Sequence, residues 1–410
     1  MSEMRADTVS SVKLERTEMP EHRCPSCGRR GLSGFYAIDN IPVHTCVLLP
    51  TAAEALAYPA GELRLGFCGG CGFICNTAFD PGRQEYAERY ESTQGFSERF
   101  NTFLASLAER MVERYGLRRK TVLEIGCGEG EFLACLCQMG DNRGVGIDPA
   151  HAPRRSGHAA GSRVRIIRDF YSDRTTHLTA DFICCRHTLE HIGPVGEFMR
   201  CVRRSAAGRA GAVVFFELPD VMRILREGAF WDVYYEHCSY FSAGSLARLF
   251  RGCGFEPLEL YLDYGGQYII ITARPAEGGG GARLELEQDL DELHAAVAAF
   301  GNVVRERMET WRRRITELAA AGRKVALWGA GSKCVAFLKT LGLAGEIAGV
   351  VDISPYKQGT FIPGTGHEIL APQALARIRP DLVVAMNPIY CREIRHSLEE
   401  LAVEADLLAV

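Results

Sequence analysis

Four cysteines stand in two pairs, Cys24-Pro-Ser-Cys27 and Cys68-Gly-Gly-Cys71, each followed at once by glycine. Two turns of this kind bring four thiolates to the corners of a tetrahedron around Zn²⁺, and the small residues let backbone amides face the sulfurs. A site closed by four protein ligands keeps no position for substrate. Its expected role is structural, holding together a segment with little core of its own. Incidental cysteines are the competing reading, and Cys46 and Cys75 lie nearby without the paired spacing. A different chemistry gathers at Trp231-Asp232-Val233-Tyr234-Tyr235-Glu236-His237-Cys238-Ser239-Tyr240-Phe241-Ser242. Two tyrosines, a glutamate and a histidine in a row can take up and return protons. An aromatic packing loop is the alternative, although Glu beside His is a costly filling for a core.

A third group is a turn. The apolar run Val122-Leu123-Glu124-Ile125 enters glycines at 126, 128 and 130, and the helical segment EFLACLCQM follows. Such a turn lets backbone approach a ligand closely and aims helix N-terminal amides at it. Further on, the strand GVGI ends in Asp148, placed to accept hydrogen bonds from two ribose hydroxyls. Glu124 and Glu129 would repel a pyrophosphate, whereas S-adenosylmethionine has no phosphate and carries a sulfonium charge. The acidic E-I-G-C-G-E-G turn therefore resembles the nucleoside-binding motif of class I methyltransferases more than a dinucleotide turn. The same resemblance implies that Asp169 and Phe170 flank the adenine. It also implies that Arg186-His187-Thr188-Leu189-Glu190-His191, after the strand DFICC, faces the methyl-transfer centre.

Elements must position these groups. Short apolar runs, TVLEIGC, GVGID, DFICC, AVVFFEL and YIIITA, alternate with helical segments from 121 to about 274. That alternation is the signature of an α/β parallel sheet. Ahead of it, Phe100, Phe103, Leu104, Leu107 and Met111 recur at helical spacing. The run EGGGG at 277–281 punctuates the chain. A helical stretch over about 282–321 follows, and a second α/β unit begins at KVALWGAG. The expected divisions are a disordered lead-in at 1–20, a zinc-binding domain at 21–82 and a methyltransferase domain at 83–276. A linker with a long helix at 277–321 and a Rossmann-like domain at 322–410 complete them.

Composition narrows the classes. With 410 residues, 47% apolar and a net charge of −4, the chain has room for several cores and no basic surplus for a nucleic-acid partner. No apolar run reaches the ~18–20 residues of a membrane span, and the N-terminus lacks a signal peptide's apolar segment. The expected location is the cytoplasm, where 16 cysteines serve as metal ligands or small apolar residues rather than disulfides.

The order of zinc knuckle, methyltransferase domain, Y-x-E-H-x-x-Y-F-S and C-terminal α/β domain resembles the sugar C-methyltransferases. The motifs CPSCG, CGGCG, YEST, EIGCGEG, HTLEHI, YYEHCSYFS, WGAGSK and VDISPYKQGTFIPGTG carry the likeness. It implies a class I methyltransferase Rossmann-like domain flanked by a small N-terminal zinc-binding lobe and a second Rossmann-like α/β domain. It further implies methylation at carbon 3 of a nucleotide-linked 4-keto-deoxysugar. His237 matches the family's base and Glu236 the residue that orients it. Tyr234, His191 and Tyr90 match residues lining the sugar pocket. In the C-terminal unit, the turn Trp328-Gly329-Ala330-Gly331-Ser332-Lys333 implies a nucleotide-diphosphate contact through Lys333, Tyr356 and Lys357. Two departures stand out. The cofactor turn reads G-C-G-E-G where the family tends towards G-C-N-D-G, and His367 interrupts PGTGHEI. An O- or N-methyltransferase of small metabolites, or a non-catalytic nucleotide-sugar scaffold, would share much of this pattern.

Overall fold

The computed structural model describes residues 11–83, 90–91, 93–151, 163–276 and 281–410. Among these residues the strands form three sheets.

The first sheet is antiparallel and built from β1 (Val12–Lys13), β2 (Thr17–Arg23), β3 (Arg30–Pro42), β4 (Ala60–Phe67) and β5 (Ile74–Asn76), with a short helix α1 (Ala52–Leu56) between β3 and β4. Residues 11–20 are therefore not a disordered lead-in. Val12, Leu14 and Met19 pack against buried cores, and the Ser11 hydroxyl and Lys13 ammonium reach Asp39 Oδ2 at 2.8 and 2.9 Å. Residues 1–10 lie outside the described residues.

The second sheet follows helix α2 (Glu98–Arg114), whose Phe100, Leu104, Leu107 and Met111 are buried. Its elements are β6 (Thr121–Ile125), α3 (Glu131–Gly140), β7 (Arg143–Ile147), β8 (Val164–Ile167), β9 (Phe182–Arg186), α4 (Val195–Ala207), β10 (Val213–Pro219) and α5 (Val221–Glu227). After a short strand β11 (Ser239–Tyr240) come α6 (Ala243–Gly252), β12 (Phe255–Asp263) and β13 (Tyr268–Pro275). The strand order is β12-β13-β10-β9-β6-β7-β8, with β13 antiparallel to both neighbours. Helices cover both faces, so central strands read as unbroken apolar runs; Val214, Phe215, Phe216 and Leu218 of β10 have no exposed surface.

Strand β11 belongs to neither neighbour in sequence. It pairs antiparallel with β5 and completes the first sheet, with Ser239 opposite Cys75 and Tyr240 opposite Ile74. The segment 231–242 thus runs from the methyltransferase sheet into the cysteine-rich lobe.

The expected linker helix is α7 (Leu290–Ala320), and it is not a free spacer. Phe300 packs its ring against Phe35 and Tyr36 of β3, with centroids 5.8 and 5.5 Å apart. Trp311 lies 5.6 Å from Phe337 of α8 (Ser332–Leu341). The third sheet is parallel throughout and contains β14 (Val325–Trp328), β15 (Ile347–Val351), β16 (Ile369–Leu370), β17 (Leu382–Ala385) and β18 (Asp406–Ala409), in the order β16-β15-β14-β17-β18. Helices α9 (Leu375–Ile378) and α10 (Cys391–Glu400) flank its later strands. No helix among the described residues is long and apolar enough to cross a membrane.

Candidate active site

The cofactor turn is built as its sequence requires. Gly126, Gly128 and Gly130 all lie in the left-handed region, with φ of 68°, 53° and 79°. At Gly126 a side chain is excluded by contact as well, because a Cβ would sit 1.9 Å from Thr188 Oγ1. Gly128 faces open space. Its N–H donates to Asp148 Oδ2 at 2.8 Å, and Ala150 N–H donates to Asp148 Oδ1 at 2.8 Å. Asp148 therefore fixes the turn while its half-buried oxygens keep lone pairs directed at the cleft. Glu124, expected to touch the cofactor, lines the cleft but is buried and accepts the Leu133 N–H at 3.1 Å, in the first turn of α3. Burial pushes its carboxyl up to about 8, despite the opposing charge of Arg186. Phe170 is 58% exposed and lines the cleft, whereas the Asp169 carboxylate turns back on the Phe170 N–H at 2.8 Å. The turn itself offers glycines and carboxylates, and the neighbouring Arg186 is committed to Glu217, a setting that suits a sulfonium nucleoside and disfavours a pyrophosphate.

The second α/β unit repeats this device. Gly329 N–H donates to Val351 O at 2.8 Å, as Gly126 N–H does to Ile147 O at 2.8 Å. Asp352 accepts Ala330 N–H at 2.7 Å and Ser354 N–H at 2.8 Å, as Asp148 does from its own turn and from the residue two places on, with the turn N–H supplied one residue earlier. Lys357 stands 3.4 Å from Asp352, and its ammonium is held charged: burial works against the charge, but the nearby carboxylates, Asp352 foremost, outweigh it. Tyr356 is 40% exposed and packs edge-on to Phe96, 5.6 Å away. Lys333 is placed differently from the expectation of a free phosphate ligand. Its ammonium lines the cleft and is paired with Asp232, with Nζ 2.6 Å from Oδ2 and in contact with Oδ1.

Between the two turns lies a cleft of about 1610 Å³. Single-ligand sites run to roughly 300–1,000 Å³, so this one has room for two molecules. His191, from a short 3₁₀ turn at Leu189–His191, meets His237 edge-on with ring centroids 4.8 Å apart. Tyr234 also meets His237 edge-on, with centroids 4.4 Å apart. Burial, reinforced by the facing His191, pushes the His237 imidazolium down to about 3, so the ring is neutral. Tyr90 pairs with Val47 in an isolated bridge and also lines the cleft. Tyr235, by contrast, points away: its hydroxyl accepts the Asp80 N–H at 2.9 Å, and its ring covers Gly61.

Glu236 does not orient His237. Its carboxylate is buried in the opposite direction, where Oε2 lies 3.2 Å from His44 Nδ1 and Oε1 accepts the Thr45 N–H at 3.0 Å and the Thr45 hydroxyl. Burial alone would raise its pKa, yet the His44 hydrogen bond and nearby imidazoles bring it to about 2. Thr45 Oγ1 also meets Ser332 Oγ at 2.7 Å. Three stretches distant in sequence are joined there. A turn at Tyr235–Glu236 explains the difference: the chain reverses there, so Glu236 reaches His44 and Thr45 while His237 lines the cleft.

The segment Arg186–His191 is anchored by a residue that carries no motif, Glu217. Glu217 at the end of β10 accepts Arg186 Nε at 3.1 Å and Nη2 at 3.0 Å, and lies 2.8 Å from His187 Nε2. His187 holds φ at 45°, an uncommon backbone for a histidine, and lies 3.5 Å from Glu190 on its other nitrogen. Burial would lower its pKa, but Glu190 and Glu217 raise it to about 9. Arg186 sits over the Phe132 ring at 4.6 Å. The positive φ at His187 follows the strand directly, but no residue type signals it in the sequence.

The two cysteine knuckles have the same local form. Cys24 N–H donates to Arg29 O and Gly28 N–H to Cys24 O, at 2.8 and 2.9 Å; Cys68 N–H donates to Phe73 O and Gly72 N–H to Cys68 O, both at 2.8 Å. The sulfurs of Cys24 and Cys71 lie 3.6 Å apart, those of Cys27 and Cys68 lie 3.7 Å apart, and all four fall within 4.8 Å of one another. Tetrahedral Zn–S bonds of ~2.3 Å place sulfurs about 3.8 Å apart, so the donor set and its spacing fit a zinc ion. Arg248 of α6 donates to Cys71 O at 2.8 Å, and His294 of α7 lies 3.0 Å from Gly69 O, so both neighbouring units brace the second knuckle.

Comparison with known proteins agrees with this layout. Residues 96–260 match the family model described as a methyltransferase domain, and residues 281–406 match that of a C-methyltransferase C-terminal domain. Among solved structures, the 1,6-didemethyltoxoflavin-N1-methyltransferase of Burkholderia thailandensis is similar over 45% of this chain and 83% of its own, with 19% identity and a TM-score of 0.35. Magnesium protoporphyrin IX methyltransferase of Synechocystis PCC 6803 is similar over 43% and 83%, with 14% identity and a TM-score of 0.33. Those scores are too low to bear on function. The C-methyltransferase NovU of Streptomyces niveus is 31% identical over 307 residues, covering 71% of this chain and 72% of NovU. By that identity and the two family models, the chain is an S-adenosylmethionine-dependent C-methyltransferase and belongs to the sugar C-methyltransferase family.

Proposed function

We propose that the protein methylates carbon 3 of a nucleotide-linked 4-keto-deoxysugar. The single observation behind this reading is the cleft itself, with the cofactor turn at one end, the Asp352 turn at the other and a neutral His237 between them. Bound S-adenosylmethionine supplies an electrophilic methyl group on sulfonium. Gly128, Asp148 and Phe170 are the residues proposed to hold it. The nucleotide would lie against the Asp352 turn, with Lys357 near its diphosphate and Tyr356 at the rim.

A hydrogen on carbon beside a ketone is acidic because its removal gives an enolate. His237 takes that proton, and the charge developing on the sugar oxygen favours the imidazolium despite its buried setting. Tyr234, His191 and Tyr90 face the same space. A hydrogen bond from one of them to the enolate oxygen is the kind of contact that contributes roughly 10²-fold or more to rate. The enolate carbon forms its bond to the methyl as the carbon–sulfur bond breaks, and the ketone returns. Water exclusion falls to the Tyr264–Tyr390 and Gln267–Asn387 contacts that join the two α/β units at 2.7 and 2.9 Å. Cys24, Cys27, Cys68 and Cys71 are proposed to hold structural zinc.

Deuterium uptake tests the reading. A dTDP-linked 4-keto-6-deoxysugar incubated with enzyme in D₂O, with no methyl donor, should gain deuterium at C3, read by mass spectrometry and NMR. Uptake at C5, the other carbon beside the ketone, would move the acceptor. No uptake at either carbon, with methylation appearing on oxygen or nitrogen, would replace the proposal.

A further inference from the structure

Asp232 holds a position that neither the cofactor turn nor the proposed base explains. Its side chain is only 6% exposed, at the end of a 3₁₀ turn that precedes Tyr234. Three donors surround its two oxygens. Oδ2 receives Arg223 Nη2 of α5 at 2.5 Å and Lys333 Nζ at 2.6 Å. Oδ1 receives Lys333 again, together with the Tyr234 hydroxyl at 3.3 Å. Arg223 is itself tied to Glu227 at 2.9 Å. The carboxylate plane is thereby fixed from two directions, by an arginine of the methyltransferase unit and a lysine of the C-terminal turn. The backbone of Tyr234 is pinned as well, since its N–H donates to Tyr240 Oη at 3.3 Å and its carbonyl accepts the Tyr240 hydroxyl at 3.2 Å.

We propose that Lys333 is a positioning residue for methyl transfer, acting through Asp232 to set the hydroxyl of Tyr234 beside His237. This rests on the reading of Tyr234 and His237 as residues that face the sugar. A buried carboxylate with a single cationic partner could rotate towards it, and Arg223 alone would draw Asp232 away from the tyrosine. Lys333 bridges both oxygens and removes that freedom. The C-terminal turn is then part of the catalytic geometry and not only a wall for substrate. Charge balance points the same way: burying Asp232 favours its neutral form, but Lys333 and Arg223 hold it ionised, so it remains an acceptor for the phenol.

A double-mutant cycle with Tyr234→Phe and Lys333→Met decides the matter. Methylation of a dTDP-linked 4-keto-6-deoxysugar is measured for wild type, both single variants and the double, together with S-adenosylhomocysteine affinity and Tm as checks on folding. Tyr234→Phe is expected to lower kcat by about tenfold or more; with its one proton committed to Asp232, the phenol acts by placing an acceptor oxygen beside His237 and not as a donor to the enolate. Lys333→Met should lower kcat by about tenfold or more with KM nearly unchanged, Lys333→Arg should recover most of the loss, and the double variant should be no slower than Tyr234→Phe alone. Multiplying single effects in the double variant would overturn the proposal. So would a Lys333→Met enzyme with normal kcat and a KM raised about tenfold, which would make Lys333 a substrate-phosphate ligand. Full activity in Tyr234→Phe would instead defeat the reading of the sugar site. If Lys333→Met fails to fold, Lys333→Gln, which keeps a hydrogen-bond donor, goes through the same cycle.

Discussion

Replacing Asp148 by Asn tests the cofactor turn with almost no change of shape. In the wild type each carboxylate oxygen accepts a backbone N–H at 2.8 Å, from Gly128 and from Ala150. An amide offers one oxygen and one NH₂, so one of those two N–H groups must face another donor. The amide also lacks the charge that strengthens a hydrogen bond to ribose. Hydrogen bonds to charged groups are worth about 1.5–3 kcal/mol, so loss of one ribose bond should weaken donor binding by ~10- to 150-fold. Strain in the turn adds to this and makes it a lower bound. Titration calorimetry with S-adenosylhomocysteine at fixed pH and salt measures the change directly. Affinity within about twofold of wild type, in a variant with unchanged Tm, would show that Asp148 serves only the turn and that the ribose binds elsewhere.

Further expectations concern the base, the metal and the buried charges. His237→Asn should abolish turnover and leave S-adenosylhomocysteine affinity near normal, because the side chain lies on the loop after α5 and not in the cofactor turn. With the imidazolium held down to about 3, kcat/KM should be flat from about pH 5 to 8; an acid limb near 6.5 would contradict a neutral resting His237. Cys71→Ser removes one of four clustered thiolates, so plasma mass spectrometry should find zinc in wild type and much less in the variant. Equal metal content in the two, or none in wild type, would dismiss the site. His187 is raised from 6.5 to about 9, so its contribution to stability is complete below 6.5 and is lost as pH rises through 9. The shift corresponds to at most about 3 kcal/mol, and urea midpoints of His187→Gln should fall less than those of wild type between pH 6 and 10.

The sequence made legible whatever was local. The cofactor turn could be read because its glycines, its strand and Asp148 are close neighbours, and the turn itself imposes the residue types. The knuckles were readable for the same reason, as each closes on itself within five residues or so by backbone bonds. Partners chosen by packing were not. Glu236 finds His44 across 192 positions, and Lys333 finds Asp232 across 101. Nothing in the spacing of Glu236 and His237 says that the first turns to His44 while the second lines the cleft. Strands β1 and β2 were hidden differently: their residues are mostly exposed, so they lack the apolar alternation that marks a strand, and pairing with β3 holds them.

The pairing of β11 with β5 has a consequence for anyone who would exchange parts between relatives. The histidine proposed as base sits two residues ahead of a strand whose hydrogen-bond partner begins three residues after Cys71. Asn76 N–H closes the join on Cys238 O at 2.9 Å. A chimera that transplants the cysteine-rich lobe without the segment 231–242 would register one protein's β11 against another's β5. The two pieces, far apart in the chain, have to be exchanged together because they share one sheet.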